Sequence, residues 1–305
     1  MGGADYRGLR LLRRRGVYIL AVPFYWKFFR LPVRAGKFAI QKIADFGFVA
    51  GNRFDVDELP GECDDVHGRE HNRCCRQCNL DSVSTSDSHI KSLFLDGPAG
   101  RLEALLNGGA ANATHAALVC HPHPIYGGTL HNKVVFHTAK ALNSFGYPVL
   151  RFNFRGAGLS QGEHDSGSGE VDDVRVALDW LEQEFRLPLI LAGFSFGAAV
   201  GLRVACPDPR VQAVIGLGLP LAPLDERMYE FAFLGECYKP KLFVSGARDQ
   251  FGPRTKLEAL VNSLPEPNQL ILIEGADHFF EGRLRELREA IESWVRKFVE
   301  GSVEG

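Results

Sequence analysis

One stretch limits this chain more than any other. Leu189-Ile190-Leu191-Ala192 leads into Gly193-Phe194-Ser195-Phe196-Gly197 and leaves through Ala198-Ala199-Val200 into a helix-compatible run. An apolar run this short, bounded by glycine, fits a strand buried on both faces. Glycines on either side of the serine leave room for a chain that reverses sharply from strand to helix, and the serine itself tolerates a strained backbone. The Ser195 hydroxyl then projects above the sheet as a candidate nucleophile. The Phe196 N–H falls among the unpaired N–H groups at a helix N-terminus, where a developing oxyanion would be stabilised. The plainer alternative, a glycine-flanked serine in an ordinary turn, does not account for the strand before it and the helix after it.

A serine hydroxyl reacts only when a base takes its proton and a third group orients that base. Two downstream segments supply candidates. Residues 241–249 read as a buried strand that delivers Asp249 at its C-terminal end, and residues 269–278 repeat the layout with His278. The chain order Ser195, Asp249, His278 belongs to a single fold type.

From these residues the sequence resembles the α/β-hydrolase superfamily, over residues 90 to 300. The segment Cys120-His121-Pro122-His123-Pro124-Ile125-Tyr126-Gly127-Gly128 is similar to small bacterial hydrolases with a His-Pro-His-Pro-x-x-Gly-Gly signature. That resemblance implies an esterase-like enzyme without a large lid, with Ser195, Asp249 and His278 on the triad positions. It also implies that the loop after the strand at 116–120 gives a second oxyanion donor. Pro122 and Pro124 have no N–H, which leaves His121, His123 and Ile125. Matching His121-Pro122 to the His-Gly dipeptide of related hydrolases puts the donor on His123, beside Phe196.

The same histidines invite a metal reading, because His121-x-His123 could chelate together with His131. A triad already supplies a complete hydrolytic apparatus, so no metal or other cofactor is expected, and the His121 ring is expected to be tied to nearby backbone. Phe152-Asn153-Phe154-Arg155-Gly156-Ala157-Gly158 looks like a loop bordering the site. Gln161 stands where a dinucleotide fingerprint needs its third glycine. Arg155 is expected to brace this loop rather than bind substrate.

Periodicity places the rest. Residues 92–95 and 101–106 form a hairpin around Asp96-Gly97-Pro98-Ala99-Gly100. Strands at 116–120, 149–154 and 211–219 alternate with helices at 133–144 and 171–185, and with the helix after Ser195. Alternating strands and helices predict an α/β fold with a mostly parallel central sheet, helices on both faces and a minimal lid. Only residues 221–240 could form that lid, and about twenty residues cannot build a deep cap. Their Met228, Tyr229, Phe231, Phe233 and Leu234 suggest an apolar wall and a short acyl chain.

Residues 1–88 read as an N-terminal extension and linker, and residues 89–300 as the catalytic domain. Residues 1–45 hold ten Lys or Arg against Asp5 and Asp45, with an apolar aromatic run from Gly16 to Trp26 that Pro23 interrupts. The run is too short to span a bilayer and lacks a small-residue cleavage site. Peripheral contact with an anionic membrane is one reading; a plain extension packed on the catalytic domain or partly disordered is preferred. If the aromatic stretch from Tyr18 to Phe29 folded over the cleft it would extend the apolar wall. Cys63, His67, His71, Cys74, Cys75 and Cys78 crowd the next segment, but paired Cys-x-x-Cys knuckles are missing, which favours free thiols over zinc. Ser84-Thr85-Ser86-Asp87-Ser88 reads as a hinge.

A net charge of −2 over 305 residues gives no reason to expect nucleic acid as partner, and seven cysteines, an odd number, argue against a secreted disulfide scaffold and for a cytoplasmic protein. The leading expectation is a serine hydrolase, a carboxylesterase acting on a small-molecule short-chain acyl ester. The alternatives are a thioesterase, acyltransferase or small peptidase on the same triad, or a non-catalytic membrane-attached scaffold.

Overall fold

The structure is a computed structural model; it describes residues 90–222 and 228–301 in full, together with the backbone of residues 10–14, 17–22 and 25–29. The chain divides into two units, Met1–Leu80 and Asp81–Gly305. In the first, β1 (Arg10–Arg14), β2 (Val17–Val22) and β3 (Tyr25–Phe29) form an antiparallel meander, with Arg10 opposite Ala21 and Tyr18 opposite Phe29. The Cys63 to Cys78 cluster and the Ser84 to Ser88 hinge lie outside the described residues.

The second unit is an eight-stranded sheet. Its strands are β4 (Ile90–Gly97), β5 (Gly100–Asn107), β6 (Ala116–Cys120), β7 (Val149–Phe152), β8 (Leu189–Phe194), β9 (Val211–Leu217), β10 (Lys241–Gly246) and β11 (Asn268–Ile273). They lie in the order β11-β10-β9-β8-β6-β7-β5-β4. β6 to β11 run parallel; β5 pairs antiparallel with β7, and β4 antiparallel with β5. This mostly parallel sheet is what the alternating pattern predicts, and it is the α/β-hydrolase fold that the resemblance implies.

A strand covered on both faces sends alternate side chains into two different cores. Leu189 and Leu191 of β8 enter one core, whereas Ile190, Ala192 and Phe194 enter the other. The first core is closed by α2 (Glu170–Phe185), α3 (Phe196–Ala205) and α4 (Arg254–Asn262), and the second by α1 (Lys133–Asn143) and α5 (Leu284–Val295). Each wholly buried Leu, Val or Phe in these layers contributes about 1.5–3 kcal/mol relative to exposure.

Several boundaries differ from the sequence expectation, each for a local reason. The hairpin pairs down to Gly97 opposite Gly100, so its turn is the two residues Pro98-Ala99 rather than five. β7 ends soon after Phe152: the Asn153 N–H still bonds Glu103 O across the ladder, but the Phe154 N–H turns to the His121 ring. β9 stops at Leu217 because Gly218 takes φ +52°. α4 and α5 follow Asp249 and His278, beyond the helices that the pattern assigns. Within 221–240 the apolar residues divide. Phe231 and Leu234 are buried in the first core and Met228 is exposed, so the apolar wall is reduced to the half-buried Tyr229 and Phe233, with the Tyr229 ring 6.1 Å from that of Phe196.

Candidate active site

His123, Ser195, Phe196, Asp249 and His278 follow the C-terminal ends of β6, β8, β10 and β11, the end at which open parallel sheets place their ligand crevices. The chain turns from β8 into α3 at Ser195, which is held at φ +54°, ψ −116°, a strained setting for a residue with a side chain. The flanking glycines are sterically required. A Cβ on Gly193 would lie 2.4 Å from Gly197 O, and one on Gly197 would lie 2.4 Å from His121 O and 2.5 Å from Cys120 O. α3 therefore meets the end of β6 with backbone against backbone.

Ser195, His278 and Asp249 form one hydrogen-bonded line. His278 Nε2 lies 3.1 Å from Ser195 Oγ, and its Nδ1 lies 2.9 Å from Asp249 Oδ2. All three are nearly buried, at 7, 3 and 5% exposure, so water competes weakly for these bonds. The Asp249 carboxylate can only accept, which puts a proton on Nδ1 and leaves Nε2 to accept the serine hydroxyl. Burial pushes the Asp249 carboxyl up, but the His278 bond and charge, with the N–H groups of Gly252 and Phe251, together hold it below the usual carboxylate range. Those N–H groups donate to Oδ1 at 3.0 and 2.8 Å, and Ser245 Oγ donates to Oδ2 at 3.0 Å. Rings frame His278: Phe194 at 5.1 Å, Phe251 at 4.7 Å and Phe279 at 5.2 Å.

The loop after β6 is folded on itself. His123 O accepts from the N–H groups of Tyr126 and Gly128, and a Cβ at Gly128 would lie 2.1 Å from Pro122 O, which explains the second glycine of the signature. The His123 ring packs on that of Phe196 at 4.8 Å, so the two residues singled out as oxyanion donors are neighbours. Phe196 opens α3, where N–H groups have no intrahelical acceptor. The His121 ring faces backbone on both sides: Nδ1 lies 2.6 Å from Pro122 O, and Nε2 accepts from the Phe154 N–H at 3.0 Å. Both nitrogens are thus engaged. Burial drives its pKa down to about 4, against the opposing Pro122 bond.

Arg155 braces the adjoining loop. Its backbone N–H, Nε and Nη2 all bond the buried Asp173 of α2, the shortest at 2.7 Å. A second close pair joins the half-buried His164 to the buried Glu170. His164 Nδ1 lies 2.6 Å from Glu170 Oε1, and that carboxylate accepts hydrogen bonds from the N–H groups of Asp165 and Gly167. The His164 ring stands 4.7 Å from His123 and 5.5 Å from Phe196. In sequence, Glu170 and Asp173 look like ordinary acids in the first turn of a helix, and nothing distinguishes them from solvated ones.

The sequence profile of the alpha/beta hydrolase domain matches residues 126–300. The chain belongs to the α/β-hydrolase family. An uncharacterised protein of Rickettsia prowazekii is 37% identical to this hydrolase over 214 residues, covering 68% of this chain and 89% of that one. A solved α/β serine hydrolase homologue from Coxiella burnetii is 38% identical with a TM-score of 0.61, and the match spans 67% of this hydrolase and 96% of that chain. A Xanthomonas campestris structure, described as an α/β serine hydrolase without lid, is 33% identical with a TM-score of 0.61, over 69% and 95% of the two chains. No described helix of the hydrolase is long and apolar enough to cross a membrane.

Proposed function

We propose that this hydrolase is a serine carboxylesterase that cleaves short-chain acyl esters through an acyl-enzyme, in the cytoplasm. The observation that carries the reading is the continuous line from Ser195 Oγ to His278 Nε2 and from His278 Nδ1 to Asp249 Oδ2, at 3.1 and 2.9 Å. Ser195 Oγ attacks the acyl carbonyl as His278 Nε2 takes its proton, and Asp249 stabilises the imidazolium that forms. The carbonyl oxygen becomes an oxyanion facing the N–H groups of Phe196 and His123. Collapse of this intermediate breaks the ester C–O bond, and His278 returns the proton to the leaving alcohol. Water then attacks the acyl-enzyme with His278 again as base, the carboxylic acid departs, and Ser195 regains its proton.

A fluorophosphonate probe tests for an activated serine without requiring the natural substrate. Labelling is expected at Ser195 alone, and Ser195→Ala is expected to lose labelling together with at least about 10⁴-fold in p-nitrophenyl ester turnover, while keeping the fold. Near-normal turnover by the variant would remove the serine mechanism.

A further inference from the structure

The loop between β7 and α2 carries a polar group that the triad does not use. His164 stands in this loop with its side chain 10% exposed, beside the buried Glu170 that opens α2. The Glu170 carboxylate fixes the loop, because Oε1 accepts from the Asp165 N–H at 2.9 Å and Oε2 from the Gly167 N–H at 2.8 Å. Gly167 in turn lies near Phe196, since a Cβ there would stand 3.6 Å from Phe196 Cε2. The loop thus holds the His164 ring against the side chains of both residues assigned as oxyanion donors, at 4.7 Å from His123 and 5.5 Å from Phe196.

The two ring nitrogens of His164 are placed differently. Nδ1 lies 2.6 Å from Glu170 Oε1, a close electrostatic contact rather than an aligned hydrogen bond. Nε2 is buried and has no partner among the described residues. With Nδ1 on the Glu170 side, the five-membered ring turns Nε2 away from that carboxylate, and the other rings around it are His123 and Phe196. A buried nitrogen without a partner is costly in either protonation state, so one that persists beside a reaction centre points to a ligand group.

We propose that His164 is a specificity-determining residue whose Nε2 binds a hydroxyl on the acyl chain, so that short hydroxyacyl esters are preferred over plain alkanoyl ones. The inference deepens the carboxylesterase reading and rests on it. In that reading the acyl chain lies along Phe196, the ring on which Tyr229, His123 and His164 all pack. A hydroxyl suits the imidazole however it is protonated, because it donates to a neutral Nε2 and accepts from an Nε2–H. A plain alkyl chain in the same place leaves the nitrogen unpaired. A site built around a buried polar group discriminates against the analogue that lacks its partner.

The test uses the full-length protein with ethyl butyrate and both enantiomers of ethyl 2-hydroxybutyrate and ethyl 3-hydroxybutyrate, followed by ethanol release. Each kcat/KM is divided by that ester's alkaline hydrolysis rate, which removes the intrinsic activation of the carbonyl by the hydroxyl. Enantiomers share that reactivity and are compared directly. At least one hydroxy ester is expected to exceed ethyl butyrate by about tenfold, and to exceed its own mirror image. His164→Phe keeps a ring on His123 and Phe196 without either nitrogen, and there the ratio should fall to about one. His164→Gln sets an amide near the Nε2 position and should retain part of the preference, whereas His164→Asn reaches only the Nδ1 position and should lose it. This pair of variants decides the matter if a phenylalanine beside Glu170 prevents folding. A wild-type enzyme that turns over ethyl butyrate but prefers none of the hydroxy esters would overturn the inference and leave the esterase reading standing. A preference that persists in His164→Phe or His164→Asn would do the same. Loss of all ester turnover together with no fluorophosphonate labelling of Ser195 would overturn both.

Discussion

At the scale of single residues, the site depends on bonds that fix protons. Ser245 is the plainest case that the sequence did not reveal: it lies within the apolar run of β10, and only the fold shows its hydroxyl reaching Asp249 Oδ2, the oxygen that also accepts from His278. Losing a hydrogen bond to a charged group costs about 1.5–3 kcal/mol. Ser245→Ala is therefore expected to lower kcat/KM roughly tenfold to a hundredfold, measured on a p-nitrophenyl ester, with the Oδ1 bonds from Phe251 and Gly252 keeping Asp249 in place. His121 makes the opposite point. A ring tied to backbone is legible from the His-Pro-His-Pro run, but its burial is not. With a folded pKa of about 4 against 6.5, the unfolded chain binds more protons between those values, so stability falls as pH drops through that window. The loss amounts to on the order of 3 kcal/mol by pH 4. NMR should show the His121 ring not titrating above pH 5; a midpoint near 6.5 would contradict its tautomer and burial.

At the scale of elements, legibility follows periodicity. The doubly buried strands and the amphipathic helices α1 and α2 were readable, because covering a sheet on both faces imposes short apolar runs and 3.6-residue spacing. The ends of β7 and β9 were not, since each is set by a tertiary partner: the His121 ring for Phe154, and the +52° turn at Gly218, whose Cβ would lie 3.2 Å from the His278 ring. The nucleophile turn was legible for the reason that makes it intolerant. In Gly197→Ala the new methyl must displace the carbonyls of Cys120 and His121, which cannot swing aside as a side chain would. A cost of about 1–3 kcal/mol is expected in urea unfolding, with reduced turnover as the loop bearing His123 shifts. Gly235→Ala, where a Cβ meets nothing within 4 Å, is the matched control and should change neither. Equal effects in both variants would show that the contact between α3 and β6 does not set the site.

At the scale of the whole molecule, the proposed substrate range depends on how much apolar surface is left to receive an acyl chain. Phe231 and Leu234 appear in sequence as part of a wall, but they are spent on the first core, since a segment too short for its own core must anchor itself in the existing one. Tyr229 and Phe233 remain half-buried, Tyr229 against Phe196, and the His123 and His164 rings also pack on Phe196. Such a surface covers a few methylenes, each contributing about 0.8 kcal/mol, and adds nothing once the chain has passed the rings. Across p-nitrophenyl esters from acetyl to palmitoyl, kcat/KM is expected to rise by roughly fourfold per methylene at most, peak by hexanoyl and then decline. Because each added methylene acts through binding shared by ground and transition state, the rise should appear mainly in KM. A maximum at decanoyl or beyond would show that more apolar surface reaches the acyl chain than residues 228–240 provide.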